Sequence, residues 1–404
     1  MEYRLIDADE HYYEPDDCFS RHIESRYAAE TIRVERGGDG LGRIYLRDRR
    51  TFMSVMPGDY ASAPGALQGL FVGGVADGFT HREVVTSRDH PEFASKAARL
   101  RLMDAQGVEA AILLPTLGVA VEYDLRGDAG LLHASLRAFN RWLEDDWGYG
   151  ADGRVFAVPM LSLTDRDQAM TELHRVIHAG ARLVHLTPGP VVSGPGAGRS
   201  PADPYFDPFW ATAAEAGIPV VFHVSNSGYN HFYGNLWSEN PDNPSHAQAP
   251  LQWALCNTER PLVDTLTALT LHNLFGRHPG VKIVSIENGS NWLKSLFKTV
   301  DKAAALGRRG PMLGGKLPDK PSEALAEHLW ICPFPEDDVD ELIAALGPDH
   351  VLFGSDWPHP EGIREPEDYV VQLAGQDATV TRKVLRGNTA RLLGIPDHEP
   401  APAR

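Results

Sequence analysis

The chain has 404 residues, 43% of them hydrophobic and 23% charged, with a formal charge of −17. That balance suits a globular protein with a deep core. The charge argues against a polyanionic partner, and the short, interrupted stretch Arg47-Asp48-Arg49-Arg50 does not make a nucleic-acid surface. No uncharged apolar stretch approaches the roughly 20 residues needed to span a bilayer. The N-terminus lacks the basic region and apolar core of a signal peptide. Cys18, Cys256 and Cys332 are far apart and odd in number, so no disulfide framework is expected. Together these features predict a cytoplasmic protein without membrane contact.

Apolar, β-branched runs mark eight strands, at 3–11, 109–115, 154–160, 181–187, 218–224, 281–287, 328–334 and 351–357. Helical periodicity falls between most of them, at 92–107, 128–147, 165–180, 207–217, 262–277, 291–306 and 337–347. Asp165 and Asp207 stand where N-caps belong, and Gly180 and Gly217 where helices end. Strands that are apolar throughout, alternating with helices, imply a buried parallel sheet. Eight repeats predict a (β/α)8 TIM barrel spanning 1–395, with a flexible tail at 396–404.

Three segments exceed a minimal barrel and are read as insertions after strands 1, 4 and 5. The first, 12–91, includes an expected hairpin of 31–36 against 43–47. The second, 189–204, is rich in Gly, Pro and Ser. The third, 225–261, carries Tyr229, His231, Phe232 and Trp237, expected to wall a substrate site. All three follow strands, so they should lie on the catalytic face.

Several strands end in side chains that bind metals. Asp9 and His11 close the first, His223 the fifth and Asp356 the eighth. Residues two apart on a strand share a side, so Asp9 and His11 can both aim into the mouth. Two imidazoles and two carboxylates suit one divalent ion: zinc first, with manganese or iron as alternatives. Asp356 is also a candidate proton carrier, and Glu287, at the end of strand six, a candidate acid/base or orienting group. His185 on strand four is a further candidate for substrate or orienting contact. Gly310 to Lys316 imitates a phosphate loop, but Leu317 stands where Ser or Thr is required and no helix follows.

The runs Ile6-Asp7-Ala8-Asp9-Glu10-His11, Ile218 to His223, Phe275 to Lys282, Leu352 to His359 and Gly387 to Leu393 resemble the amidohydrolase superfamily. The similarity is to the branch that includes aminocarboxymuconate-semialdehyde decarboxylase and the γ-resorcylate-type decarboxylases. It implies a mononuclear metal site at Asp9, His11, His223 and Asp356, and a homodimer with 12–91 as a candidate contact. Strand four lacks the lysine of binuclear members. Glu287 stands where the decarboxylases place a catalytic histidine, and His359 is expected to brace the loop after Asp356. The resulting expectation is a carboxy-lyase for a small carboxylated aromatic or muconate-like compound. The alternatives are a metal-dependent hydrolase of an amide, ester or lactone, and a non-catalytic metal-binding sensor barrel.

Overall fold

The computed structural model describes residues 3–38, 42–56, 60–69, 83–192 and 198–396. The rest of the expected 12–91 and 189–204 insertions and the end of the tail lie outside the described residues. Strands in chain order are β1 (Leu5–Tyr12), β2 (Ile32–Arg36), β3 (Gly42–Leu46), β4 (Arg49–Met56), β5 (Tyr60–Ser62), β6 (Val84–Thr86) and β7 (Val108–Pro115). They continue as β8 (Val155–Ala157), β9 (Met160–Leu161), β10 (Val184–Leu186), β11 (Val220–His223), β12 (Ile283–Ile286) and β13 (Leu329–Cys332).

The central layer is parallel throughout. One sheet runs β1–β7–β8 and the other β9–β10–β11–β12–β13. The run expected as a single strand at 154–160 is split. Pro159 has no N–H to give a ladder, and β8 pairs with β7 while β9 pairs with β10. The run expected as an eighth strand is irregular, with isolated bridges from Val351 to Ile331 and from Trp357 to Glu10. Backbone hydrogen bonds tie this run to both neighbours: Leu352 N to Ile331 O, Ala8 N to Phe353 O, and Asp356 N to Asp9 O.

Two apolar clusters explain the layering. An inner one takes Ile6 and Ala8 from β1, Ala110, Ile112 and Leu114 from β7, Val221 from β11, and Val284 and Ile286 from β12. The opposite faces pack against the helices in a larger cluster. Burial on both faces is why β1 is buried at all eight positions rather than at alternate ones.

The helices fall close to their expected places, at Lys96–Ala105, Ala129–Asp146, Arg166–His178, Asp207–Glu215, Arg260–Leu271, Leu293–Gly307 and Val339–Leu346. Asp165 caps its helix by accepting from the N–H groups of Asp167 and Gln168. Asp207 lies inside its helix instead, bound to Arg277 and His278, and the cap position is Phe206. Asn273, in left-handed conformation, divides the expected 262–277 helix in two. The expected hairpin is present as β2 against β3, and β4 adds a third strand that was not expected. Among the described residues no helix is long and apolar enough to cross a membrane.

Candidate metal centre

β1 carries the first site residues, and its alternation is broken to present them. Ile6 and Ala8 face the inner cluster, so strict alternation would send Glu10 inward and His11 toward the helices. Between Asp7 and Glu10 three steps along β1 match two along β7, the signature of one extra residue. The phase inverts. Glu10 turns outward to Arg99 Nη1 at 2.8 Å, and His11 turns into the site. The same guanidinium donates to His11 O at 2.6 Å and lies 4.2 Å from the Trp357 ring centre. This buried cation thus pins the backbone of His11 from behind.

Asp9 is admitted by a glycine. A Cβ on Gly354 would fall 2.5 Å from Asp9 Cβ and 2.4 Å from Cys332 Sγ. Glu287 and Asp356 both sit at positive φ, +54° and +56°. Side-chained residues pay about 1–2 kcal/mol for that conformation. It lets each chain segment turn sharply as its carboxylate enters the site.

The donor atoms converge on His11 Nε2. Around it lie Asp9 Oδ1 at 3.3 Å, His223 Nε2 at 3.3 Å, Asp356 Oδ1 at 3.4 Å and Glu287 Oε2 at 3.6 Å. Glu287 Oε2 is 2.7 Å from His223 Nε2. His223 Nδ1 donates to the carbonyl of Val224 at 2.8 Å, which leaves its Nε2 as a lone pair in the neutral ring. Asp9 Oδ1 and Glu287 Oε2 are buried and make no aligned hydrogen bond among the described residues. Buried acceptors facing a lone pair are costly unless a cation lies between them. The residues therefore fit a divalent metal ion, whose positive charge both orphaned oxygens and both imidazoles would share.

Electrostatics follow from this crowding. Burial alone would depress the His11 imidazole, but the Asp9 and Glu287 carboxylates raise it to about 10. Burial would raise Glu287, yet His223 and His11 hold it below the ordinary carboxylate range. Asp356 is pushed well above its usual value, by burial and then by Glu287 and Asp9.

His359 belongs to the site more closely than its expected bracing role suggests. It stacks on His11 with ring centres 4.0 Å apart and places Nδ1 2.7 Å from Asp356 Oδ1. The Thr116 hydroxyl donates its one proton to Tyr12 O, so at 3.0 Å it accepts from His359 Nε2. With Nε2 protonated, one further proton lies between His359 Nδ1 and Asp356. Burial and the neighbouring His11 push the His359 imidazole well below its usual value.

Above the donors opens a cavity of 470 Å³. His11, His223, Glu287 and His359 form its floor, and Tyr13, Met53, Val119, Trp253, Asn257 and Glu361 are among its walls. Among the described lining residues there is no Lys or Arg. Burial and nearby Glu287 lift Glu361 to about 7.

The expected substrate wall is displaced. Tyr229, His231, Phe232 and Trp237 do not line this cavity. Tyr229 is bound to Asp264 and packs on Tyr233, while His231 and Phe232 pack on Tyr123. Trp237 is 63% exposed. His185 lies outside the donor cluster, with Nε2 3.3 Å from Ser225 Oγ, and burial and His223 depress it to about 3. Arg47 and Arg199 are not available to clamp a substrate carboxylate here, being paired with Glu30 and Asp203 on the surface.

The amidohydrolase family profile matches residues 7–395. The chain belongs to this family and is a metal-dependent enzyme. It is similar to the crystal structure of an amidohydrolase from Mycobacterium avium subsp. paratuberculosis K-10, at 38% identity and TM-score 0.89, over 98% of this chain and 100% of that one. Two more distant structures share the fold. One is 2,6-dihydroxybenzoate decarboxylase from Rhizobium, at 18% identity and TM-score 0.61, over 97% of this chain and 99% of that one. The other is a dihydroxybenzoic acid decarboxylase from Polaromonas sp. JS666 with bound manganese and the inhibitor 2-nitroresorcinol. It gives 21% identity and TM-score 0.59, over 85% of this chain and 97% of that one. No curated protein matches the chain.

Proposed function

We propose that this protein is a non-oxidative carboxy-lyase for a small carboxylated aromatic or muconate-like compound. In this reading the two parallel sheets and the 351–357 run close into one (β/α)8 barrel, and Asp9, His11, His223 and Asp356 hold one divalent metal ion. The observation that carries it is the set of orphaned carboxylate oxygens and facing imidazoles beneath a largely apolar cavity. The manganese and the 2-nitroresorcinol inhibitor of the distant dihydroxybenzoic acid decarboxylase support the same class.

A divalent ion held by these residues would supply positive charge toward the substrate's oxygens. The chain's residues do the rest. Met53, Val119 and Trp253 exclude water from the ring face. Asp356 delivers its proton to the ring carbon that bears the carboxylate, and His359 holds that carboxyl in place through Nδ1. The carbon–carbon bond then breaks, its electron pair returns to the ring, and carbon dioxide leaves. Asp356 regains a proton before the next cycle.

The test is carbon dioxide release from a panel of hydroxybenzoates by manganese-loaded protein. Release that is lost in Asp356→Asn supports the proposal. Acid production from esters or lactones without carbon dioxide release would replace it with hydrolysis at the same site.

A further inference from the structure

Glu287 was expected to be an acid/base or an orienting group, yet its oxygen stands among the donors. Two atoms bound to one ion at about 2.1 Å, at right or tetrahedral angles, lie roughly 3.0–3.4 Å apart. Glu287 Oε2 straddles that spacing, with one contact just below it and one just above. It is 2.7 Å from His223 Nε2 and 3.6 Å from His11 Nε2, while the His11 contacts to Asp9, His223 and Asp356 span 3.3–3.4 Å. The His223 contact is not an aligned hydrogen bond, and Oε2 is buried without another partner among the described residues. The Asp9 side chain is 5% exposed and its Oδ1 is likewise unpartnered. The backbone is shaped for this placement. Glu287 takes φ +54° directly after β12, and Asn288 Nδ2 pins the turn to Phe222 O and Ile286 O at 3.0 and 2.7 Å.

We infer that Glu287 is a direct metal ligand, so that the ion is held by two imidazoles and three carboxylates. This deepens the metal-centre reading above and rests on it. Five protein donors exceed the three that catalytic zinc sites commonly use with an open position. Three of the five are hard carboxylate oxygens, which favour an ion accepting higher coordination, Mn(II) or Fe(II), over zinc. The inference also removes Glu287 from the proton path.

The test uses the purified full chain, stripped by chelator and titrated with Mn(II) alone, then with Co(II) as an optical probe. The wild type should bind one Mn(II) per chain, and its Co(II) form should show the weak visible bands of a five- or six-coordinate ion. Glu287→Gln should weaken Mn(II) binding by more than ~100-fold, beyond the 10- to 100-fold typical of a residue that only orients a ligand. Its Co(II) bands should intensify as coordination falls. Unchanged affinity and an unchanged Co(II) spectrum would overturn the ligand role and leave a four-ligand centre standing. A wild type that binds no ion would overturn the metal centre itself, and the inference with it. If Glu287→Gln does not fold, Glu287→His carries the test. The preference for Mn(II) over Zn(II) should then fall at least tenfold, and an unchanged preference would refute direct ligation.

Discussion

The floor of the cavity and its walls are built by different rules. The floor consists of side chains at strand ends, where paired backbones fix every direction and a second layer holds the first. His11 is held by Arg99 behind it, Asp9 by the space at Gly354, and Asp356 by His359 and the Asp9 carbonyl. The walls come from connecting segments. Trp253 lines the cavity and is still 45% exposed, and no parallel strand supports it. The floor should therefore tolerate almost nothing, whereas the walls should trade affinity for shape.

The sharpest break of that contrast is chemical. Asp356→Asn should lower turnover by about 10²–10⁴-fold, the usual worth of a positioned proton carrier, with the fold retained by circular dichroism. An active variant would remove the proton-transfer role. Next comes the support behind the floor. Arg99→Met leaves Glu10 buried without its cation and should cost about 3–5 kcal/mol in denaturant unfolding. A variant as stable as wild type would show that His11 is not braced from behind. Gly354→Ala forces a methyl against Asp9 and Cys332 and should cost about 1–3 kcal/mol, with weaker metal binding measured by dialysis.

Smaller effects mark the boundary between the two regions. Glu14 accepts from the N–H groups of Leu117 and Gly118, and burial raises its carboxyl to about 7 from an ordinary 4.5. The folded state thus keeps a proton that the unfolded chain has released, so this group lowers stability as pH rises from 4.5 to 7. Glu14→Gln should match wild type in melting temperature near pH 4 and exceed it at pH 8. Equal melting at both would mean that this carboxyl is not buried as described. At the walls, Trp253→Ala should raise KM severalfold with little change in kcat, while exposed Trp237→Ser should alter neither stability nor KM measurably. If the order of these two were reversed, the cavity would be bounded elsewhere.

The same contrast explains what the sequence revealed. Strand ends carrying Asp9, His11, His223 and Asp356 were legible because a parallel strand is a contiguous apolar run with its side chains set by the pleat. The extra residue in β1 was not, since a bulge leaves no mark in hydrophobic pattern. Its consequence, Glu10 facing Arg99, depends on a helix 89 residues away. Glu287 was found as a carboxylate at a strand end, but its closeness to His223 required coordinates. The family resemblance implies a loop brace at His359, and its stack on His11 appears only when β1 and the 351–357 run meet. The aromatics of 225–237 misled because such loops can satisfy their rings internally, as Tyr229 does with Tyr233 and Asp264.

The most direct test is the metal content of the chain after reconstitution and exhaustive dialysis, beside a variant carrying both His11→Ala and His223→Ala. The account predicts one divalent ion per wild-type chain and none retained by the double variant. A wild type that retains no ion, or a double variant that retains a full equivalent, would contradict it.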